Sequence, residues 1–167
     1  MKKVGILMGS DSDLPVLEKA FNTLESLQIP FEVHVYSAHR TPKEAKEFAE
    51  GARENGFAVI IAAAGMAAHL AGAVAANTTL PVIGIPVKSS NFDGMDALLS
   101  TVMMPPGMPV ATVGVNAAQN AALLAAQIIA VEDSTLADKL QNLRAENAKK
   151  ILAKNDDVSS KYSKLTY

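Results

Sequence analysis

The chain has 167 residues, of which 49% are apolar, 19% charged and only 5% aromatic. Fifteen Lys and Arg stand against seventeen Asp and Glu, a formal net charge of −2, and that balance excludes a polyanion-binding surface, which needs a basic excess. Cysteine is absent, which excludes a disulfide framework, a thiolate metal site and a cysteine nucleophile together.

The pattern alternates between short apolar runs and helical segments. Residues 4–8 form a continuous apolar run ending at Gly9-Ser10, which predicts a strand buried on both faces. Residues 13–27 carry Leu14, Leu17, Phe21, Leu24 and Leu27 at helical spacing, with Pro15 suited to the first turn and Ser12 or Asp13 as the expected cap. In 31–36, Phe31, Val33 and Val35 alternate with Glu32, His34 and Tyr36, a half-polar pattern that belongs at a sheet edge. Thr41-Pro42 starts a second helix that runs to about Glu54, before Asn55-Gly56. A third strand at 58–63 leads into an alanine-rich helix over 65–76. A fourth strand at 82–85, a short helix at 96–102, a fifth strand at 110–115 and a helix over 116–131 follow. The last helix, 134–153, is amphipathic, with Leu136, Leu140, Leu143 and Ile151 on one stripe.

Strands alternating with helices predict βαβ units and a parallel sheet covered on both faces. The expected fold is a three-layer α/β/α flavodoxin-like sheet of order 2-1-3-4-5. Residues 1–155 are expected to form one domain, with 156–167 a loose polar tail. The apolar run at 4–8 is too short for a signal peptide, so a cytoplasmic protein without membrane or nucleic-acid partners is expected. Much of the apolar fraction is alanine, which buries little area at ~25 cal/mol per Å². Close backbone approach, or burial against partners, is therefore expected to supply stability.

In such a sheet, ligands bind beyond the carboxyl ends of the strands where the order reverses, here between strands 1 and 3. After strand 1, Gly9-Ser10-Asp11-Ser12-Asp13 leads into a helix start that favours an anion. Carboxylates at Asp11 and Asp13 would repel a phosphate, so one of them suits a ribose diol instead; an ordinary Ser/Asp helix cap is the competing reading. No Walker lysine and no G-x-G-x-x-G spacing is present, so nucleoside triphosphates and dinucleotides are poorly supported. After strand 2, Ser37-Ala38-His39-Arg40 supplies a forked cation for phosphate in Arg40 and the best general acid/base in His39, imidazole being the side chain that titrates near neutrality. After strand 3, Gly65 and the small residues that follow let backbone approach a ligand, and His69 either lines the site or holds a loop. His34, on the polar face of its strand, reads as structural. Three histidines without clustered carboxylates do not make a metal site. The loops at 88–96 and 104–109 are long for α/β connections and suit either lids or rigid contacts with a neighbour.

Taken together, these loops resemble the class I 5-(carboxyamino)imidazole ribonucleotide mutases of purine biosynthesis, also called the catalytic subunit of phosphoribosylaminoimidazole carboxylase. The resemblance rests on Met8-Gly9-Ser10-Asp11-Ser12-Asp13, Ser37-Ala38-His39-Arg40-Thr41-Pro42, Ala67-Ala68-His69-Leu70, Gly94-Met95-Asp96, and Met104-Pro105 through Gly107-Met108-Pro109-Val110-Ala111-Thr112. The stretch from Asn120 to Ile128 is similar to the family's late helix, and the likeness covers roughly residues 3–150. It implies an octamer, in which the alanines of 67–76 and 117–130 would pack between subunits, and an isomerase that moves a carboxylate from the exocyclic nitrogen to the neighbouring ring carbon through a CO2 intermediate, with no metal, cofactor or ATP. By matching positions it implies that Ser10 and Arg40 hold the 5′-phosphate with Ser37 assisting. Asp13 would bind ribose hydroxyls, Ser12 the transferring carboxyl, and His39 would shuttle the proton. Gly65, Ala67, Ala68 and His69 would enclose the imidazole and carboxyl group.

The chain departs from the pattern at Met66, where the family usually has glycine, at Ala97 in place of Ser, and at Met103 in place of Gln. Ala67-Ala68-His69-Leu70 favours class I over class II enzymes, which carboxylate aminoimidazole ribonucleotide directly with CO2. A flavin- or nucleotide-binding module without chemistry is a rival reading, although no Trp or Tyr lies in these loops to stack a flavin. A response-regulator-like domain would want an acidic cluster at the strand ends and a late lysine.

Overall fold

In the computed structural model, residues 2–163 are described, and the chain divides into two compact units, Met1–Ile129 and Ala130–Tyr167. The first unit carries five strands, β1 (Lys3–Met8), β2 (Phe31–Val35), β3 (Phe57–Gly65), β4 (Val82–Val87) and β5 (Ala111–Thr112). They pair in the order β2-β1-β3-β4-β5, all parallel, as the half-polar edge strand required.

Five helices belong to this unit: α1 (Leu14–Ser26), α2 (Pro42–Gly51), α3 (Leu70–Ala75), α4 (Met95–Val102) and α5 (Ala118–Ala130). Side chains alternate across the pleat, so Leu7, Ile60, Ala62 and Val82 point to one face, where Ala45 and Ala49 of α2 and Leu70, Ala71 and Val74 of α3 cover them. Val4, Ile6, Met8, Val59, Ile61, Ile83 and Ile85 point the other way and are equally buried. Leu17, Ala20 and Leu24 of α1 are buried, as are Ala118, Ala121, Ala122, Ala125 and Ala126 of α5. The alanine face of α5, at i, i+3, i+4, i+7 and i+8, is therefore consumed inside one chain. This corrects the expectation that these alanines pack between subunits.

Two boundaries and the place of one loop differ from the pattern. The alanine-rich helix begins at Leu70 rather than Gly65, because β3 continues to Gly65, which pairs with Val87, and Met66 then takes a left-handed backbone (φ 56°) that a helix cannot hold. The fifth strand is only Ala111–Thr112. The loop at 104–109 lies at the opposite end of the sheet from the site: Gly107, Met108 and Pro109 border a depression with Arg53, Glu54 and Leu80, which precede β3 and β4. It cannot act as a lid on its own chain, since α4 carries the chain back to the amino ends before that loop begins.

The second unit is dominated by one helix, α6 (Ser134–Tyr162), capped by Asp133, whose Oδ1 accepts from the Leu136 amide at 3.0 Å. It runs past the expected end at 153, because no Gly or Pro interrupts 154–162. Most of the stretch expected as a loose tail is thus helical, and 164–167 lie outside the described residues. Leu136 is buried, whereas Ile151, Leu152 and Val158 are exposed.

Candidate active site

At the carboxyl edge Met8 lies opposite Val35 and Ala63, and β3 and β4 run two residues further, to the pair Gly65 and Val87. The loops that leave these ends enclose a cavity of about 730 Å³. Ser10, Ser12, Asp13, Ser37, His39, Arg40, Gly65, Ala67 and His69 all line it. Of the expected site residues only Ala68 is absent from the wall; its side chain is buried among the core residues.

The loop after β1 forms a single 3-10 turn, Asp11–Asp13, capped by Ser10, and Asp13 then occupies the N-cap position of α1. Ser10 Oγ accepts from the Ser12 amide at 3.3 Å and from Ser12 Oγ at 2.9 Å. Asp13 makes no side-chain cap bond to α1, so the ordinary cap reading does not hold for it. The residue is 7% exposed and lines the cavity, an arrangement that helix stability does not explain. Burial pushes the Asp13 carboxyl above its ordinary value; the Asp11 charge adds to this, and a backbone hydrogen bond from Ser10 pulls partly back.

The loop after β2 is organised by hydroxyls. Thr41 Oγ1 accepts from the Ser37 amide at 2.7 Å, and Ser37 Oγ accepts from the amides of His39 and Arg40 at 3.3 and 3.2 Å. These bonds fold 37–41 into a tight turn that sends both side chains toward the cavity. Arg40 Nη2 donates to Gly9 O at 2.8 Å, which ties the guanidinium across the end of β1 and leaves its other N–H groups for an anion.

The loop after β3 brings the second histidine. His39 Nε2 and His69 Nδ1 lie 2.6 Å apart with the rings edge to face, so one nitrogen donates and the other accepts. His69 therefore does both things the sequence left open: it lines the cavity, and it holds a loop by a hydrogen bond. Gly65 lies tight against β4, where a Cβ would stand 3.1 Å from Val87 O. His34 sits outside the cavity, stacked on Tyr36 at 5.0 Å and 3.8 Å from Glu32, in a structural role. Among the described residues no three His, Asp or Glu side chains converge as a metal ligand set.

Met66, Lys88 and Ser89 also line the cavity and were missed as site residues. Met66 was visible only as a departure from glycine, and Lys88 as one exposed cation among many.

A row of parallel strands, a reversal of order at β1 and β3, and polar loops gathered over it define an α/β protein with a nucleotide-type cleft. Comparison with known proteins makes this specific: residues 3–150 match the AIR carboxylase family, and the chain belongs to that family. It is 54% identical over 156 residues to the N5-carboxyaminoimidazole ribonucleotide mutase of Bacillus subtilis, covering 92% of this chain and 96% of that one. It is 53% identical over 146 residues to the protein of the same name from Pyrococcus abyssi, covering 87% and 84%. The phosphoribosylaminoimidazole carboxylase of Saccharomyces cerevisiae is 50% identical over 151 residues, which is 90% of this chain but 26% of that longer one. The crystal structure of Treponema denticola PurE superposes with a TM-score of 0.83 at 31% identity, covering 97% and 99%.

Proposed function

We propose that this chain converts 5-(carboxyamino)imidazole ribonucleotide to 4-carboxy-5-aminoimidazole ribonucleotide, an intramolecular carboxylate transfer in purine biosynthesis. The observation that carries the reading is the position of His39: on the same loop as Arg40, it stands in the cavity at hydrogen-bond distance from His69, with Asp13 of the β1 loop and Gly65 lining the same space.

Ser10, Ser37 and Arg40 take the 5′-phosphate at the β1–β2 side. Asp13, whose carboxyl no helix cap occupies, accepts from the ribose hydroxyls. Ser12 and the loop from Gly65 to His69 surround the imidazole and its carboxyl group. The N–CO2 bond breaks with its electron pair left on nitrogen, which takes a proton from His39. The freed CO2 is then attacked by the neighbouring ring carbon, and the proton on that carbon returns to His39. Nothing is oxidised or reduced, and no proton is gained or lost overall. General acid–base help of this kind contributes roughly 10²–10⁴-fold. Holding CO2 beside the ring carbon adds the advantage of an intramolecular step.

The test is turnover of the carboxyamino ribonucleotide without added bicarbonate. Conversion at full rate supports transfer, whereas a strict need for bicarbonate favours direct carboxylation of aminoimidazole ribonucleotide.

The same reading includes a cytoplasmic homo-octamer. No described helix is long and apolar enough to cross a membrane. Met95, Leu99 and Val102 form an exposed stripe along α4, joined by Phe92 and Met103. Asp96, on the same helix, has Oδ1 buried without a partner, which costs roughly 1–3 kcal/mol unless a donor arrives from elsewhere. A neighbouring copy would cover the stripe and can supply that donor, and α6 carries further exposed apolar residues for the same purpose. Light scattering should give eight chains, and deleting 134–167 should dissociate them before the sheet is lost. A stable monomer at micromolar concentration contradicts the assembly.

A further inference from the structure

The cavity contains a second cation that the proposed reaction has not used. Lys88 follows β4 directly and lines the wall. Its backbone is fixed from two sides: the Lys88 amide donates to Asn116 Oδ1 at 2.9 Å, and Gly94, in the left-handed region at φ 90°, packs so closely that a Cβ would lie 3.3 Å from Lys88 Cα. The tip is held much less firmly. Lys88 Nζ pairs with Asp93 at 2.8 Å, and both side chains are more than half exposed. An exposed pair of this kind contributes little, so exchanging Asp93 for another anion costs little.

The order of the sheet assigns that anion. The phosphate ligands stand over β2 and β1, the imidazole loop leaves β3, and Lys88 leaves β4. Adjacent strands lie ~4.8 Å apart, so Lys88 starts ~14 Å from the chain that carries Arg40. A ribonucleotide laid along this row places its phosphate at Arg40 and its far, carboxylated end toward β4. The carboxylate is the anionic group at that end. It lacks a cation, because Arg40 is committed to the other side.

On the proposed mutase reading, we infer that Lys88 is the cation that binds the substrate and product carboxylate, and that Asp93 holds it in reserve while the site is empty. Lys88 is thus a specificity residue for the carboxylated ribonucleotides over the decarboxylated one. The carboxylate displaces Asp93 from the ammonium when the ligand enters, and Asp93 takes the ammonium back on release.

The test is calorimetric binding of 4-carboxy-5-aminoimidazole ribonucleotide and of aminoimidazole ribonucleotide, at low salt, to the full chain and to Lys88→Met and Asp93→Asn. Both substitutions fall on exposed side chains, and Asn tolerates the left-handed backbone of residue 93 (φ 53°). Lys88→Met should weaken the carboxylated ligand roughly tenfold and leave the decarboxylated one within about twofold. Asp93→Asn should tighten the carboxylated ligand by a few-fold, because its competitor is gone, and the double variant should behave as Lys88→Met. The opposite signs are the signature, since a purely structural pair shifts both variants the same way. Equal changes in the two variants, no change in either, or an equal loss of both ligands in Lys88→Met would overturn the inference; the last result would put Lys88 on the phosphate. A wild-type chain that binds neither ribonucleotide overturns the mutase reading itself, and is told apart because it needs no variant.

Discussion

His39 Nε2 lies 2.6 Å from His69 Nδ1, so two residues thirty positions apart, on loops after the non-adjacent strands β2 and β3, hold one hydrogen bond inside the cavity. That bond fixes which edge of the His39 ring faces the ligand space, and it gives His69 a positioning role. His39→Asn is expected to keep the fold and ribonucleotide affinity while turnover falls by roughly 10²–10⁴-fold. His69→Asn should fall between that variant and the wild type, because the acid–base group remains but its ring is released. Single-turnover rates with binding measured separately decide it, and a His39→Asn variant of near wild-type rate contradicts the mechanism.

Asp13 supplies a second prediction, from its burial. Because burial raises its carboxyl above the ordinary value, the folded state favours the protonated form. The sign follows from linkage: the favourable contribution is complete below the ordinary carboxyl pKa, near pH 4, and is lost as pH rises through the folded value. At neutral pH the fold therefore carries a buried charge that Asp13→Asn removes. The variant should melt higher than the wild type at pH 7, and the difference should vanish below about pH 4. Its affinity for the ribonucleotide should fall, since the ribose hydroxyls lose a charged acceptor.

Met66 holds φ 56° and is 59% exposed at the rim of the cavity. A left-handed non-glycine residue costs about 1–2 kcal/mol, and the looser unfolded state of a glycine variant offsets about 0.5–1 of that. Met66→Gly is accordingly expected to raise stability by about 0.5–1 kcal/mol in urea unfolding. It should also lower turnover, because an apolar side chain at the mouth of the site is lost. Destabilisation would show that Met66 packs rather than strains.

Gly84 tests the sheet beneath the site. A Cβ there would overlap Thr101 Cγ2 and stand 3.0 Å from Val110 Cγ1, and Thr101 is itself buried. Gly84→Ala should lose about 1–3 kcal/mol by overpacking, read as a lower urea midpoint with an unchanged slope.

Much of this architecture was legible in the residues. The half-polar run from Phe31 to Tyr36 could only be an edge strand, and that fixed the strand order and the place of the cavity. The breaks at Gly9-Ser10, Ser37-Ala38-His39-Arg40 and Gly65 marked the three loops that meet there. What escaped depends on tertiary contacts that periodicity does not encode. The alanines after Gly65 carry helix propensity, yet the Gly65–Val87 pairing and the turn at Met66 delay the helix to Leu70. Asp13 stands at the N-cap position of α1 as its composition suggests, but only geometry shows that its carboxyl makes no cap bond there and lines the cavity instead. Lys88 carries no pattern at all; its meaning comes from which strand it follows.

The central claim is that the carboxyl group moves within one closed site. Substrate carrying ¹³C in its N-carboxyl group, turned over in buffer with unlabelled bicarbonate, tests it most directly. The account predicts that the product retains the label and that the rate does not depend on bicarbonate. Product that carries solvent carbon, formed only when bicarbonate is supplied, would contradict it.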